Sequence, residues 1–381
     1  MTMNNLAPSR LKAPLPLRVE LGERGYDIRF HDNEPGEAAR AIKEFCPEGA
    51  FVVSNETIWR LHGGAFMTAL REAGISASAA MAGDGERFKT LDSAAKLYDE
   101  LIRGRFGRRT CVIAFGGGVV GDLAGFVAAT FMRGVTFIQV PTTVIAMVDS
   151  SIGGKTGVDH PMGKNLIGAF HQPRLVVIDV ARLRSLDAHN IRGGFAEVIK
   201  CGVIDDADFF GVLETEIENA MALEPAPLMR AVRRSCEIKA RIVSADEREG
   251  GLRATLNYGH TFAHAIESLS GYAETQFHGQ AVAIGMIAAA EVAGEMGLFS
   301  AENRQRLRAL IRRAGLPDRI PGNLEPSAIV RAMKTDKKVV GGRQRFVLPV
   351  AIGKTIIRDD VPEAVIERVI ARMREEQSVH I

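Results

Sequence analysis

A run of glycines directly after an apolar segment constrains the fold of this chain more than any other feature. Residues 110–115 form a bounded apolar run of strand length, and the sequence GGGVVGD follows at residues 116–122. The residues after the glycines favour a helix, so the segment predicts a strand, a tight turn and a helix. Glycine permits such a turn and lets the backbone approach a ligand closely. A turn that serves packing alone is the alternative interpretation.

The glycines also match a known nucleotide-binding pattern. Positions 116, 118 and 121 satisfy GxGxxG, in which a pyrophosphate meets free amides at the start of a helix. The next predicted strand ends in Pro141-Thr142-Thr143 and lacks the acidic residue that would bind a ribose. If a dinucleotide binds, we expect its adenosine to be held elsewhere, with Asn55 or the stretch Asp84-Gly85-Glu86 with Lys89 as candidates.

The first half of the chain alternates short apolar runs with helical patterns. Helical spacing is clearest at residues 59–73 and 93–104. This alternation predicts an α/β fold with a parallel sheet covered on both faces. The predicted strands are residues 17–21, 26–30, 50–54, 76–81, 110–115, 136–140 and 175–178.

The second half has a different pattern. From about residue 188 to 333 helical periodicity dominates, and residues 281–296 form a long run rich in small residues that predicts a buried helix. Strand character returns in a predicted hairpin at residues 345–350 and 355–358, followed by a final helix. We therefore place an α/β domain at residues 1–183 and a mostly α-helical domain at residues 184–381.

Two histidines in the second half have the spacing of metal ligands. His260 and His264 are four residues apart, so on a helix both rings leave the same face. The pair suits two metal ligands, or one ligand beside one acid/base group. His278 follows a predicted loop, and Glu197 and Lys200 are a charged pair among apolar residues. A buried carboxylate needs a partner or a metal, so a metal site is predicted; a solvated histidine and a surface ion pair are the alternative.

Polar residues are dense between positions 149 and 165. Lys155 and Lys164 lie in glycine-rich turns, which suit an anion bound by ammonium groups and backbone amides. Arg133 and Arg253 are further cations near apolar runs. Solvated loop lysines are an equally good interpretation, because the spacing of a P-loop is absent.

Composition excludes several other classes of protein. The 48 Lys and Arg residues against 46 Asp and Glu residues give a net charge of +2, which provides no general electrostatic attraction for nucleic acid. The four cysteines are scattered singly, so they form no zinc or redox pair. No apolar run approaches the ~18 residues of a membrane span, and the N-terminus shows no signal peptide. A cytoplasmic protein without membrane or nucleic-acid partners is expected.

With these residues in view, the sequence resembles the 3-dehydroquinate synthase family from residue 20 to residue 373. The resemblance rests on motifs that together are far more specific than one glycine pattern. They are GGGVVGDLAGF (116–126), RGVTFIQVPTT (133–143), DSSIGGKTGVDHPMGKNLIGAFHQP (149–173), FAEVIK (195–200), LNYGHTFAHAIE (256–267) and MKTDKKVVGGRQRFVLP (333–349).

The resemblance implies an NAD-binding α/β domain and a helical metal- and substrate-binding domain. It implies bound NAD and a divalent metal, with zinc expected first and cobalt second, and suggests a homodimer. The implied reaction is phosphate elimination by a lyase, which converts the small molecule 3-deoxy-D-arabino-heptulosonate 7-phosphate (DAHP) to 3-dehydroquinate in the shikimate pathway. It proceeds by transient NAD reduction, phosphate loss, return of the hydride and aldol ring closure. Another sugar phosphate cyclase and a metal-dependent polyol dehydrogenase are the competing hypotheses.

The resemblance also assigns roles to individual residues. It implies three metal ligands, Glu197, His260 and His278, and makes His264 a nearby acid/base or hydrogen-bonding group. The residues matched to the substrate and other active-site positions are Arg133, Asp149, Lys155, Asn165, Lys200, Lys239, Arg253, Asn257 and Lys337. Those matched to NAD are Asn55, Asp84, Glu86, Lys89, Gly117, Gly118, Val119, Asp122, Thr142, Thr143, Lys164 and Ser185.

One stretch departs from the family. Residues 186–192 read LDAHNIR where the wording Leu-Pro-x-Arg-Glu is usual, and Asn190 replaces an acidic residue next to the nicotinamide region. This difference predicts an altered loop or an altered affinity for NAD. Cys201 and Ala263 are milder changes that concern packing.

Overall fold

The computed structural model describes residues 15–270, 278–334, 339–340 and 343–374. The first nine strands of the chain are β1 (Leu17–Val19), β2 (Tyr26–His31), β3 (Ala50–Asn55), β4 (Ala77–Ala82), β5 (Cys111–Gly116), β6 (Thr136–Pro141), β7 (Lys155–His160), β8 (Gly163–Phe170) and β9 (Leu175–Asp179). Seven of them form the central sheet in the order β1-β2-β9-β6-β5-β3-β4, in which β1 is antiparallel to β2 and all other neighbours are parallel. The predicted parallel sheet is confirmed.

Helices cover both faces of this sheet, as the alternating pattern predicts. On one face Ile42 and Leu70 belong to one hydrophobic core with Ile113, and on the other Leu97 and Leu123 belong to a second core with Phe137. A π-helical turn, Trp59–Gly63, joins the second and third helices into one continuous segment. These helices are α1 (Pro35–Lys43), α2 (Glu56–Ile58), α3 (Gly64–Glu72), α4 (Leu91–Arg103) and α5 (Gly118–Thr130).

The strand order creates a switch point between β3 and β5. The chain passes from β3 to β4 on one side of β3, then returns through α4 to β5 on the other side. Connections on the two sides therefore diverge at the carboxyl ends of β3 and β5, where open α/β sheets bind ligands. The glycine turn after β5 lies at this edge.

The segment predicted as glycine-rich turns around Lys155 and Lys164 is instead a β-hairpin. Strands β7 and β8 pair antiparallel, apart from the main sheet, and β7 packs on α5. Glycine is required here by close approach, because a Cβ on Gly168 would lie 2.2 Å from the carbonyl oxygen of Thr156. The glycines therefore mark tight strand pairing, which the turn interpretation missed.

The second half is built from helices with a late hairpin, as its periodicity predicts. The hairpin pairs β12 (Phe346–Ala351) with β13 (Lys354–Arg358), after the short strands β10 (Val339–Val340) and β11 (Arg343–Gln344). The helices are α6 (Ala188–Asp205), α7 (Ala207–Met221), α8 (Pro225–Ala245), α9 (His260–Leu269), α10 (His278–Glu295), α11 (Ala301–Arg313), α12 (Pro326–Lys334) and α13 (Glu363–Met373).

One hydrophobic core joins the sheet to these helices. It contains Tyr26 and Ile178 from the sheet together with Phe195 and Ile284 from the helical half. The two halves of the chain therefore share a packed interface, and the boundary at residues 183–184 stays a prediction. Among the described residues, no helix combines the length and apolar character needed to span a bilayer.

Candidate active site

The glycine turn leaves the start of α5 open to a ligand. Gly117 caps the helix without a side-chain bond, and the first helical hydrogen bond runs from Gly121 N–H to Gly117 O at 3.0 Å. The amides of residues 118–120, including that of Val119, therefore come before the first hydrogen bond of the helix. Added Cβ atoms would lie 3.1 Å from Ser150 Oγ at Gly118 and 2.9 Å from Gln139 Oε1 at Gly121. These glycines thus serve close packing as well as an open helix start.

Polar side chains flank this turn at the carboxyl edge of the sheet. Thr142 lies next to Gly116, its N–H donating to Gly116 O at 3.0 Å, and the buried Thr142 Oγ1 has no hydrogen-bond partner among the described residues. Thr143 Oγ1 accepts from Ala146 N–H at 3.2 Å. The structure therefore places a hydroxyl pair, with no carboxylate, after β6, as the sequence predicts.

Two more predicted cofactor residues lie after β3 and β4. Asn55 Oδ1 caps the following helix by accepting from Ile58 N–H at 2.9 Å, and Asp84 Oδ2 accepts from Thr57 Oγ1 at 2.9 Å. Both side chains make local contacts at the same edge of the sheet. Their role toward a cofactor stays a prediction.

A buried lysine connects the predicted NAD residues to a predicted substrate residue. Lys89 is 3% exposed, and its Nζ donates to Asp122 Oδ2 and to Asn165 Oδ1, both at 2.6 Å. Glu86 Oε1 lies 3.6 Å from the same Nζ. Burial lowers the pKa of Lys89, but the charges of Asp122 and Glu86 outweigh it and raise that pKa. Sequence reasoning placed Asn165 with the substrate groups and did not foresee this contact.

Lys89→Met is expected to lower the free energy of unfolding by about 3 kcal/mol, because removing one partner leaves a buried charge unpaired. Urea unfolding of the purified protein measures this. Lys96→Met on the exposed face of α4 is the matched control and should change stability by no more than about 0.5 kcal/mol. An unchanged unfolding midpoint for Lys89→Met would contradict a structural role for this ion pair.

Three residues from different helices converge on a potential metal site. Glu197 lies on α6, while His260 and His278 begin α9 and α10. Both histidine Nε2 atoms lie 3.7 Å from Glu197 Oε1, and one ligand atom from each residue falls within 4.8 Å of the others. Two imidazoles and one carboxylate form a ligand set that zinc accepts at catalytic sites.

The surroundings of this cluster fit a metal. Glu197 is 1% exposed, and neither of its oxygens accepts a well-aligned hydrogen bond in the part of the chain that is described. His260 Nδ1 contacts Tyr258 O and His278 Nδ1 contacts Glu267 Oε1, both at 3.1 Å. Such contacts orient the rings and leave each Nε2 directed at the metal position.

The charged groups of the cluster shift one another's pKa values. Burial raises the pKa of Glu197, but the charge of Lys200 and the contact with His278 outweigh it and lower that pKa to about 2. Burial lowers the pKa of His278, but Glu197 and Glu267 outweigh it and raise that pKa to about 10. Positive charge is therefore favoured beside Glu197, where Lys200 Nζ lies 2.5 Å from Oε2.

Two glycine contacts position the helices that carry these ligands. A Cβ on Gly279 would lie 2.1 Å from Gly193 O, and a Cβ on Gly285 would lie 2.1 Å from Gly259 O. Gly259 has φ of +81° and immediately precedes His260. Helix α10 therefore touches both α6 and the start of α9 through backbone.

Two buried lysines lie beside the metal ligands. Lys200 Nζ is 2.5 Å from Glu197 Oε2 and donates to Leu256 O at 2.7 Å. Lys239 Nζ donates to the backbone carbonyl oxygen of Asp149 at 2.6 Å and also to the side-chain carboxylate of Asp149. Burial and the charge of Lys200 lower the pKa of Lys239 despite its ion pair with Asp149. The structure thus brings together four residues that the sequence assigned to one site.

A third group of predicted substrate residues surrounds a carboxylate that the sequence did not indicate. Glu249 forms an ion pair with Lys155 and accepts from Asn257 Nδ2 at 2.6 Å. Arg253 is 2% exposed and donates from Nη2 to Gly153 O at 3.0 Å. Burial raises the pKa of Glu249, but Lys155 and Asn257, and after them the charge of Arg253, outweigh it and lower that pKa. A neighbouring acidic run, Asp246-Glu247-Arg248-Glu249, was the available signal.

The remaining predicted residues lie around these groups. The His264 ring centroid is 5.7 Å from that of His260. Lys164 contributes to the low pKa of Glu267, where the contact with His278 outweighs burial. Ser185 Oγ lies 2.7 Å from His62 Nε2 at the end of the segment after β9.

Two predicted residues are not brought to this site. Arg133 is exposed and follows the C-terminal end of α5, at the opposite edge of the sheet from the glycine turn where that helix begins. A helix of this length spans roughly 20 Å, so within one chain Arg133 does not reach the predicted substrate groups. Lys337 lies outside the described residues.

The unusual stretch before α6 forms a regular helix start. Asp187 caps the helix by accepting from Asn190 N–H at 2.9 Å, and Asn190 Nδ2 donates to Asp187 Oδ2 at 2.6 Å. His189 contacts the buried amide of Gln280, with 3.0 Å between Nε2 atoms. An Asp–Asn cap therefore orders this helix start, and the effect on NAD affinity stays a prediction.

Both halves of the chain match models of known protein families. A family model described as 3-dehydroquinate synthase N-terminal matches residues 79–193, and one described as 3-dehydroquinate synthase C-terminal matches residues 194–339. The 3-dehydroquinate synthase of Nostoc punctiforme is 46% identical over 360 residues, covering 94% of this chain and 99% of the relative.

Solved structures of similar enzymes share the fold. The 2-epi-5-epi-valiolone synthase of Streptomyces hygroscopicus, solved with NAD+ and Zn2+, superposes with a TM-score of 0.84 at 26% identity, covering 96% of this chain and 99% of that chain. A 2-deoxy-scyllo-inosose synthase with carbaglucose-6-phosphate, NAD+ and Co2+ superposes with a TM-score of 0.84 at 25% identity, covering 94% of this chain and all of that chain. Each of these neighbours carries a nicotinamide cofactor and a divalent metal.

Proposed function

This chain belongs to the 3-dehydroquinate synthase family, and from that membership we propose that it converts DAHP to 3-dehydroquinate and phosphate. The reaction is a phosphate elimination in the shikimate pathway, so the enzyme class is a carbon–oxygen lyase. The observation that carries the proposal is the cluster of Glu197, His260 and His278, bordered by Lys200 and Lys239.

The residues present fit both cofactors of this reaction. Zinc would be held by Glu197, His260 and His278, and NAD by the start of α5 and the edge of the sheet around it. When bound, the metal polarises the substrate hydroxyl as a Lewis acid, while NAD accepts and later returns a hydride. Cobalt suits the same nitrogen and oxygen donors.

The protein's own groups bind and orient an anionic substrate. Arg253, Lys155 and Asn257 are proposed to bind its carboxylate and phosphate, so Glu249 must release Lys155 and Asn257 when the substrate arrives. Lys200 and Lys239 provide positive charge beside the metal ligands, and Asp149 holds Lys239 in place. Cations aimed at a substrate's developing charge stabilise the transition state without reorganisation.

His264 is proposed as the acid/base or hydrogen-bonding group of this site. It stands one helical turn after the ligand His260, with its ring edge-on to that imidazole. This position supports the proposal that the histidine pair consists of one metal ligand and one neighbouring polar group. The substrate's own phosphate oxygen can act as the base for elimination, so few conventional bases are needed.

The location, the oligomeric state and the domain boundary are also proposals. The resemblance to the family supports a cytoplasmic enzyme that forms a homodimer, with its two domains divided near residue 183. Light scattering of the purified protein tests the dimer.

Purified protein with NAD, zinc and DAHP is expected to release phosphate while NADH does not accumulate, because each hydride is returned. A phosphate assay and NADH absorbance, followed together, measure this. Glycerol and a sugar phosphate that lacks a carboxylate are the matched alternative substrates. Steady NADH formation from glycerol would favour a polyol dehydrogenase, and phosphate release only from the sugar phosphate without a carboxylate would favour another cyclase.

A further inference from the structure

A buried tyrosine hydroxyl lies behind the cationic group that the proposed function assigns to the substrate. Tyr26 begins β2, is 0% exposed and accepts a hydrogen bond from Gly153 N–H at 3.0 Å. Burial raises the pKa of this hydroxyl, so it stays protonated, and the positive charge of Arg253 acts on it in the opposite direction. Tyr26, Gly153 and Arg253 therefore form one contiguous group.

Gly153 is the direct contact between this tyrosine and the arginine. Its φ of +101° favours glycine, and a Cβ there would lie 2.4 Å from Arg253 Nη2. Its carbonyl oxygen accepts from that same Nη2 at 3.0 Å, while Arg253 Nη1 donates to Glu247 O. Two N–H groups of the guanidinium are thus fixed by backbone carbonyls, which sets the direction of the others.

We propose that Tyr26 is a positioning residue for Arg253, acting through the peptide of Gly153. The hydroxyl holds the Gly153 N–H, and the same residue's carbonyl holds the guanidinium that binds the substrate's anionic group. This inference rests on the proposed function, which gives Arg253 that role. The family motifs do not indicate such a role for Tyr26, because the residue is remote from them in sequence.

Gly153 has no side chain to restrain its peptide, so the orientation of that peptide depends on the hydrogen bond to the Tyr26 hydroxyl. Without the hydroxyl, the buried Gly153 N–H loses its partner, which favours rotation of the peptide towards another acceptor. Glycine permits that rotation, and the carbonyl then leaves Arg253 Nη2. Because paired N–H···O bonds to a carboxylate or phosphate depend on the direction of the guanidinium, substrate binding weakens while the metal ligands stay in place.

Tyr26→Phe is therefore expected to raise KM for DAHP about tenfold and to leave kcat within about twofold, because it weakens binding rather than the chemical step. Zinc content and NAD binding, measured by metal analysis and calorimetry, should stay at wild-type values. Tyr98→Phe is the matched control, since its hydroxyl contacts Thr130 Oγ1 at 2.6 Å, away from the site. It should leave KM unchanged.

A double-mutant cycle separates positioning from a general structural effect. In an Arg253→Lys background, Tyr26→Phe should change KM by less than about twofold, because the two residues act as a unit. A full tenfold effect in that background, or an unchanged KM in the single variant of an active enzyme, would overturn this inference alone. A wild-type protein that releases no phosphate from DAHP would overturn the proposed function together with it.

Discussion

His260→Ala is expected to remove bound zinc and to lower phosphate release from DAHP by at least about 1,000-fold, since the Lewis acid contributes several kcal/mol to the transition state. The reason is geometric, because His260 Nε2 lies 3.7 Å from Glu197 Oε1 and its Nδ1 is already directed to Tyr258 O. Alanine leaves two ligands, too few for a stable tetrahedral site. Metal analysis of the purified variant and a phosphate assay measure the two losses.

His160→Ala provides the control for this substitution. His160 is exposed at the end of β7, where Nδ1 accepts from Met162 N–H at 3.1 Å. Its replacement should leave zinc content and activity close to wild type. Zinc retained by His260→Ala at wild-type stoichiometry would show that the ligand assignment is wrong.

The main sheet was predictable from sequence because each strand is a short apolar run bounded by turns. Strand β5 is buried along its whole length, and burial on both faces produces the continuous apolar run that marks a parallel strand. The hairpin β7–β8 was missed because Lys155 and Lys164 were placed in glycine-rich turns. In the structure Gly157 and Gly168 allow two strands to approach so closely that a Cβ on Gly157 would lie 2.7 Å from Ile167 O.

The sequence predicted many of the residues that the structure brings together at the site, but it predicted few of the contacts between them. The spacing of His260 and His264 predicted a shared helix face, and the two rings do lie side by side. By contrast, the hydrogen bond between Lys89 and Asn165 joins residues 76 positions apart. Local sequence patterns do not predict contacts over such a separation. Glu249 lies in the acidic run of residues 246–249, but only the fold brings its carboxylate to Lys155, so its place in the site was missed.

The metal ligands depend on glycines that no chemical motif identifies. Residues 281–296 were predicted to form a buried helix because the run is rich in small residues. The sequence does not show at which of these positions only glycine fits. The structure shows that Gly285 packs directly on the backbone of Gly259, the residue before His260. Distances between ligands on separate helices are therefore set by backbone contact, which no flexible side chain can adjust.

Gly285→Ala is accordingly expected to lower zinc affinity by about 100-fold, in the range seen when the support of a ligand is lost. Its Cβ would lie 2.1 Å from Gly259 O and 3.2 Å from Ala263 N, so α9 and α10 must separate. This overpacking should lower the free energy of unfolding by about 2 kcal/mol. Zinc titration and urea unfolding of the metal-free protein measure the two effects.

Gly211→Ala is the matched control, because a Cβ there on α7 meets nothing within 4 Å. The same substitution in an open helical position should raise stability by about 0.5 kcal/mol, since alanine restricts the unfolded chain more than glycine does. Zinc affinity should then stay unchanged. If Gly285→Ala bound zinc as tightly as the wild type, the backbone contact between α9 and α10 would not be what fixes the position of His260. The ligand geometry would then have to come from the contacts of the histidine rings with Tyr258 O and Glu267 Oε1.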